Sequence, residues 1–447
     1  MKKLFLLVTL FSMLFVGCTD GVLDDLKGVL GGSYNNADVK VRNNQIWYTN
    51  GSTTEPIYLR NADAFGINIL SNAYDNKKKC WVITFDGDVT IIGNGAFYGC
   101  SSLKSVTIPD SVTSIGYYAF GDCASLTEFN GKFASEDGRC LIIDGTLNSF
   151  APADLTEYTI PDGVTAIGDW AFNNCYNLTN VTIPDSVTII GNYTFYRCSS
   201  LTSITIPASV TIIGECAFCG CNSLIDQVIP DSVILIGSSA FYGCSSLTSI
   251  AIPDSVTAIG DSAFTCCESL TEFNGKFASE DGRCLIIGGT FMAFAPANLT
   301  EYTIPDSVTI IGDYAFEYCC NLTSVIMPDG VRSIGVGAFY GCSGLVSVTI
   351  PDAIMLIGDS AFSDCISLTS VTIPDGVTKI GGYTFYNCKS LMNVYCKATT
   401  PPTGGGYMFS NNASNRKIYV PMESVEAYKS VPGWSKYADA IVGYNFE

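Results

Sequence analysis

The chain has 447 residues, 47% hydrophobic and only 15% charged, with 43 glycines, 20 cysteines and no histidine. The lack of histidine removes Ser–His–Asp and Cys–His nucleophile systems and every imidazole metal ligand. With 42 acidic against 23 basic residues, the net charge of −19 has the wrong sign for a nucleic-acid binder, and the apolar content is too high for a disordered chain. This length implies two or three domains or one long repeat array.

Lys2 and Lys3 precede a mostly apolar run from Leu4 to Val16, then Gly17-Cys18. The run is too short to span a bilayer and reads as a secretory signal. Its end, Leu14-Phe15-Val16-Gly17-Cys18, resembles a bacterial lipoprotein signal, with Leu14 one place before the position that pattern prefers for leucine. The resemblance implies cleavage before Cys18 and acylation of Cys18, enough to anchor the chain without a transmembrane helix. Residues 1–17 are therefore expected to be a signal peptide and 18–40 a lipidated tether, with the remainder outside the cytoplasm at the outer membrane or cell surface.

Residues 41–85 contain strand-like runs around Ile46-Trp47-Tyr48 and Trp81-Val82-Ile83 and are read as an N-terminal cap. From 86 to 395 one phrase recurs, IPDSVTxIGxxAFxxCxSLTSVT. Its glycine stands at Gly93, Gly116, Gly168, Gly191, Gly214, Gly237, Gly260, Gly312, Gly335, Gly358 and Gly381, spaced by 23 residues except for two steps of 52. Phe follows each glycine by four residues (Phe97 to Phe385), Cys by seven (Cys100 to Cys388) and Leu by ten (Leu103 to Leu391). A fixed period in the low twenties means a solenoid in the leucine-rich-repeat range.

Within one unit, Leu201, Ile204 and Ile206 face inward at L-x-x-L-x-L spacing while Ser203 and Thr205 face out, the period of a half-buried strand. Pro-Asp then starts a turn, in which the carboxylate is expected to bond backbone amides. Val-Thr-x-Ile-Gly is a second short apolar stretch, closed by a glycine suited to positive φ. Ala-Phe-x-x-Cys is expected to form one helical or 3₁₀ turn. A lone coil buries too little to offset the entropy of ordering itself, so neighbours must stack. The predicted fold is mainly β with short helical or 3₁₀ turns: a leucine-rich-repeat solenoid of about 11 coils with two β-hairpin insertions and N- and C-terminal caps.

Both 52-residue steps carry one insertion, at about 129–154 and 273–298. Ser125–Ile143 and Ser269–Ile287 are identical over nineteen positions, as a duplicated block would be. Asp144-Gly145 and Gly288-Gly289, each between apolar runs, predict hairpins. In the C-terminal cap, 396–447, Pro401–Gly406 is expected as a loop, with a strand at 418–420 and a short helix near 423–430.

IPDSVTSIGYYAFGDCASLT (108–127) and IPDSVTAIGDSAF (252–264) resemble the BspA-like branch of the leucine-rich repeats, and residues 418–443 resemble the C-terminal cap often found on such proteins. The resemblance implies a cell-surface, ligand-binding solenoid associated with adhesion to host proteins or other cells; no cofactor is expected. It does not select a ligand.

The residues themselves favour binding over catalysis. Tyr118, Trp170, Tyr193, Tyr314 and Tyr383 stand two after the repeat glycine, and Tyr98, Tyr196, Tyr242, Tyr340 and Tyr386 follow the ladder Phe. These positions vary between units, and partly exposed Tyr and Trp anchor protein contacts or stack on sugars. The polar strand face, with Thr107, Thr182, Thr205, Thr349 and Thr372, is a second surface. The eleven ladder cysteines read as free, buried thiols. Cys216, Cys219 and Cys221 make C-x-x-C-x-C but lack a histidine or a second C-x-x-C to complete a zinc set. The Pro-Asp carboxylates form no EF-hand pattern. Only Glu128, Glu157, Glu272 and Glu301, near the insertion roots, resemble a carboxylate pair for glycoside chemistry, and they read as solvated. The expectation is a non-catalytic, adhesin-like surface protein engaging a host or neighbouring-cell protein, or else a glycan-binding component of polysaccharide capture, or a passive surface spacer.

Overall fold

The computed structural model describes residues 41–446; the signal segment, Cys18 and the tether lie outside them. The chain divides into two compact units, one ending at Asp154 and the other beginning at Leu155.

In the first unit Cys80–Phe85 lies between Ile69–Asp75 and Gln45–Thr49 in an antiparallel sheet. Gln45–Thr49 also pairs antiparallel with the first repeat strand, Ser105–Thr107, which continues parallel to Glu128–Asn130. The runs at 46–48 and 81–83 are thus strands, and Ile69–Asp75 adds one that its mixed sequence did not announce. The N-terminal strand occupies the edge of the repeat strands, which otherwise would be open to pairing.

The second unit repeats one coil. A strand of three to five residues, such as Ser203–Thr205, pairs parallel with its equivalent in an adjacent coil, and Val181 meets Ile204 in register. A two-residue strand, such as Ile212–Ile213, does the same on another side, with Ile213 opposite Ile236. Between them the side chains stack in files. The Phe rings 172, 195, 218, 241 and 264 lie 5.0 to 5.5 Å apart, with interplanar angles of 22° or less. A second run joins 316, 339, 362, 385 and 409. Such offset stacking adds to the burial energy of each ring.

The structure corrects several expectations. Among the described residues there are fifteen strands of the longer kind, two in the first unit and thirteen in the second, against about 11 coils expected. The additional strands are Glu157–Thr159, Glu301–Thr303, Lys417–Pro421 and Ile441–Tyr444. They escape the repeat phrase yet keep its one requirement, an inward apolar residue, in Tyr158, Tyr302, Ile418 and Ile441.

The Ala-Phe-x-x-Cys stretch is not helical. In the coil of Gly214, Ala217 N–H bonds Gly214 C=O at 3.3 Å and Cys221 N–H bonds Phe218 C=O at 3.1 Å. These are two successive β-turns, whose third residues, Cys216 and Gly220, have φ of 51° and 75°. A left-handed residue at every such place breaks a right-handed helix.

The repeat glycine is needed for space, not for positive φ. Gly237 N–H bonds Ile213 C=O at 2.8 Å, and a Cβ on Gly237 would lie 2.5 Å from the Glu215 amide nitrogen in the adjacent coil.

Pro401–Gly406 is not wholly a loop. Thr403–Gly404 pairs parallel with Lys379–Ile380, and Phe409 stacks on Phe385 at 5.5 Å. The cap continues the files after a step of 24 residues, which hides it from a 23-residue period. Farther on, Lys417–Pro421 and the helix Val425–Ser430 match the expected strand and helix.

Both insertions form antiparallel hairpins, Cys140–Ile143 with Thr146–Phe150 and Cys284–Ile287 with Thr290–Phe294. Each is stapled by an arginine: Arg139 donates to Ala151 and Ala153 carbonyls, and Arg283 to Ala295 and Ala297 carbonyls. Thr290 and Phe291 pair with Ile310 and Ile311, so the second hairpin stands in for one short strand of the solenoid.

Candidate functional site

The variable aromatics sit on the β-turns. The turns put two side chains of each coil, two and five residues after the glycine, beside each other and beside those of the next coil. In the first unit Tyr98 and Tyr118 meet edge to face at 5.8 Å. In the second unit the candidates gather into patches. Trp170 and Tyr193 stack at 4.1 Å with rings 3° from parallel, and Tyr196 completes the group at 5.7 and 5.8 Å. The Arg197 guanidinium lies over Tyr196 at 5.2 Å. The Tyr193 hydroxyl donates to Glu215 Oε1 at 2.7 Å, which holds this phenol above its usual range.

Another patch joins Tyr383 and Tyr386 at 5.5 Å with Tyr407, stacked on Tyr383 at 5.2 Å. Lys436 Nζ covers Tyr407 at 3.6 Å, and Asn411 donates to the Tyr386 hydroxyl at 2.9 Å. Tyr340 meets Tyr318 edge to face at 5.5 Å. Tyr314 lies over Gly337, whose missing Cβ would come within 2.5 Å of the ring. Tyr242 lies beside the Cys266 thiol. Among the ten candidates, Tyr118 and Tyr383 are exposed and the rest half-buried.

Six copies of the BspA type leucine rich repeat region match, over residues 67–135, 146–276 and 290–416. The chain belongs to the BspA-type leucine-rich-repeat family. A leucine rich cell surface protein of Faecalibacterium prausnitzii is 27% identical, over 62% of this chain and 89% of its own, with a TM-score of 0.42. A leucine-rich repeat protein of Bacteroides ovatus is 28% identical, over 67% and 94%, with a TM-score of 0.30. The pneumococcal vaccine antigen PcpA is 19% identical, over 67% and 94%, with a TM-score of 0.47. No curated protein matches the chain.

This BspA-type solenoid places the other candidate residues as follows. Thr182 and Thr205 are paired neighbours on the outward strand face, and Thr349 and Thr372 are likewise exposed. Glu128, Glu157, Glu272 and Glu301 are each the exposed first residue of a strand. The Pro-Asp carboxylates make no hydrogen bond to a backbone amide among the described residues. The turn is closed instead by backbone alone, as Val233 N–H bonds Pro230 C=O at 3.0 Å. The serine after the Asp carries the side-chain bond: Ser232 donates to Val210 C=O of the adjacent coil at 2.6 Å.

The ladder cysteines are thiols, and none of the nineteen described cysteines is bridged. They are more than small apolar fillers. Cys221 Sγ donates to Phe195 C=O at 3.2 Å, and Cys244, Cys267 and Cys365 repeat the bond to Phe218, Phe241 and Phe339. Burial pushes the Cys244 thiol up to about 12. No group of three or more metal-ligating side chains occurs among the described residues. None of their helices is long and apolar enough to cross a membrane.

Sequence reasoning missed Tyr407 and Tyr318. Tyr407 sits beyond the one-residue slip in the period. Tyr318 occupies the second left-handed position of its turn, with φ of 56°, where most coils have Gly, Asn or Asp and two others have Arg197 and Cys266.

Tyr318 also borders a crevice where the second hairpin interrupts the Phe file, lined by Ser262, Cys266, Glu268, Met292 and Glu317. Burial there pushes the Glu317 carboxyl up from 4.5 to about 7. Its folded-state value is raised, so between these limits the folded chain holds a proton that the unfolded chain releases. Stability therefore falls as pH rises from about 4.5 to 7. Glu317→Gln is expected to remove this fall: its melting temperature relative to the parent chain should be higher at pH 8 than at pH 4.5. An offset equal at both pH values would show that Glu317 ionises freely.

Proposed function

We propose that the chain is a non-catalytic surface adhesin that engages an extracellular or host protein through the aromatic patches on its turns. The observation that carries this is the group Trp170, Tyr193, Tyr196 and Arg197, a set of anchor-type side chains fixed by mutual stacking and left partly exposed. Rigid aromatics with a neighbouring arginine are the residues that dominate protein interfaces, because little side-chain entropy remains to be lost on binding. The absence of histidine and the exposed, dispersed strand-start carboxylates support a role without catalysis. The Gly17-Cys18 signal supports a lipid anchor, with Cys18 as the acylated residue.

A glycan ligand is less well supported. Sugars stack on free ring faces, whereas Trp170 and Tyr193 cover each other and Lys436 covers Tyr407. A binding screen of purified residues 19–447 against matrix and mucin proteins and a glycan array separates the readings. Saturable protein binding that survives deglycosylation of the target is expected. Binding to free glycans alone would replace the adhesin with a polysaccharide-capture protein, and silence on both would leave a passive spacer.

A further inference from the structure

The coil of Gly214 differs from its neighbours at the turn. Where Tyr193 and Tyr196 stand in the coil before, this coil has Cys216 and Cys219, both partly exposed. Side chains at these two positions touch wherever they are aromatic: ring centroids are 5.8 Å apart for Tyr193 and Tyr196, and 5.5 Å for Tyr383 and Tyr386. The reason lies in the backbone. Cys219 N–H bonds Cys216 C=O at 3.1 Å, closing a four-residue segment in which Cys216 has φ of 51°. Such a turn holds its end Cα atoms within about 7 Å, near the range of about 4.4–6.8 Å that a disulfide bridges. The two thiols are near enough to shift each other's ionisation.

Among the described residues, the other cysteines nearby or partly exposed are engaged elsewhere. Cys221, two residues on, is buried and donates to a carbonyl. Cys266 is engaged with Tyr242. Cys320 is exposed and donates to Gly341 C=O at 3.6 Å.

We propose that Cys216 and Cys219 form a thiol–disulfide exchange site, which takes a small disulfide as oxidant and closes to an intrachain Cys216–Cys219 bridge. Cys216 is the attacking sulfur. The neighbouring Cys219 thiol favours its thiolate against burial and the Glu215 charge, and brings it down to about 7. Cys219 is held up, first by its interaction with Cys216 and then by burial, and stays a thiol until it is needed.

In the first step the Cys216 thiolate attacks one sulfur of the small disulfide RSSR. A Cys216–SR bond forms, the S–S bond breaks, and RS⁻ leaves. In the second step Cys219 gives up its proton and attacks Cys216 Sγ, expelling the second RS⁻. The two thiolates leave as two RSH, carrying the two protons and two electrons that the dithiol has lost. The turn geometry makes the second step intramolecular, so the mixed disulfide does not accumulate. A surface protein outside the cytoplasm would meet such oxidants.

The test uses the full chain, reduced and then exposed to glutathione disulfide at pH 7, quenched in acid and mapped after pepsin cleavage at low pH. The expected product has lost two hydrogens, carries no glutathione and is bridged between Cys216 and Cys219. Cys219→Ser is expected to stop with one glutathione on Cys216. Cys216→Ser is expected to react at Cys219 at least about tenfold more slowly. The rate for the parent chain should reach half its maximum near pH 7. Circular dichroism identical to the parent chain confirms that both variants fold. Separate stable glutathione adducts on Cys216 and Cys219, or faster reaction at the exposed Cys320, would overturn the proposal.

Discussion

Gly237→Ala is expected to destabilise the second unit by about 3 kcal/mol or more, the upper end of overpacking costs. A Cβ there would lie 2.5 Å from backbone atoms of Glu215 and Gly214, which cannot rotate away as a side-chain tip can. Relief requires the two coils to part, which breaks the 2.8 Å bond from Gly237 N–H to Ile213 C=O. Gly243, in the same coil, provides the control. It has φ of 70°, and a Cβ on it would meet nothing nearer than 3.8 Å. Gly243→Ala should cost only the left-handed backbone penalty, about 1–2 kcal/mol, and Gly243→Asn less than that. The repeat itself places Asn174 and Asn387 at this position. Urea unfolding of the three variants checks the order. Equal losses for Gly237→Ala and Gly243→Ala would show that the coils are not packed as closely as described.

Gln227→Ile is expected to act in the opposite direction, stabilising by about 1–3 kcal/mol. Gln227 fills the inward strand position held by Val181, Ile204 and Ile250 in other coils, and is only 4% exposed. Its Nε2 donates to Val228 C=O at 2.8 Å, but its buried Oε1 has no partner. An isoleucine removes that desolvated acceptor and fills the volume with apolar atoms facing Ile250, its partner in register. The urea midpoint should rise with the slope unchanged. A lower midpoint would mean that the amide is doing more for the core than its single bond suggests.

The repeat made the main architecture readable in advance. A glycine, a phenylalanine, a cysteine and a leucine at fixed offsets can be satisfied only by stacked coils, and Asp144-Gly145 and Gly288-Gly289 located both hairpins. Features that depend on the adjacent coil were not readable. No spacing within one unit says that Gly237 faces backbone of another coil, that Cys221 donates to Phe195, or that Ser232 rather than Asp231 bonds across. The double β-turn was hidden because residues such as Tyr193, Arg197 and Cys266 occupy left-handed backbone that sequence preference reserves for glycine and asparagine. The aromatic positions were legible as variable and partly exposed, but their grouping was not. Whether Trp170 touches Tyr193 depends on the coil stacking distance, and Tyr407 joins Tyr383 only through a 24-residue step.

The binding claim rests on those groups, and affinity measured on variants of each tests it most directly. A protein ligand recovered in the screen would be titrated, by biolayer interferometry, against the parent chain, against Trp170→Ala/Tyr193→Ala and against Tyr383→Ala/Tyr407→Ala. Circular dichroism should be unchanged throughout, since these side chains lie outside the buried Phe and Leu files. The account predicts that at least one of the two double variants weakens binding by about tenfold or more. Parent-like affinity in both would contradict it and move the binding surface to another face of the solenoid.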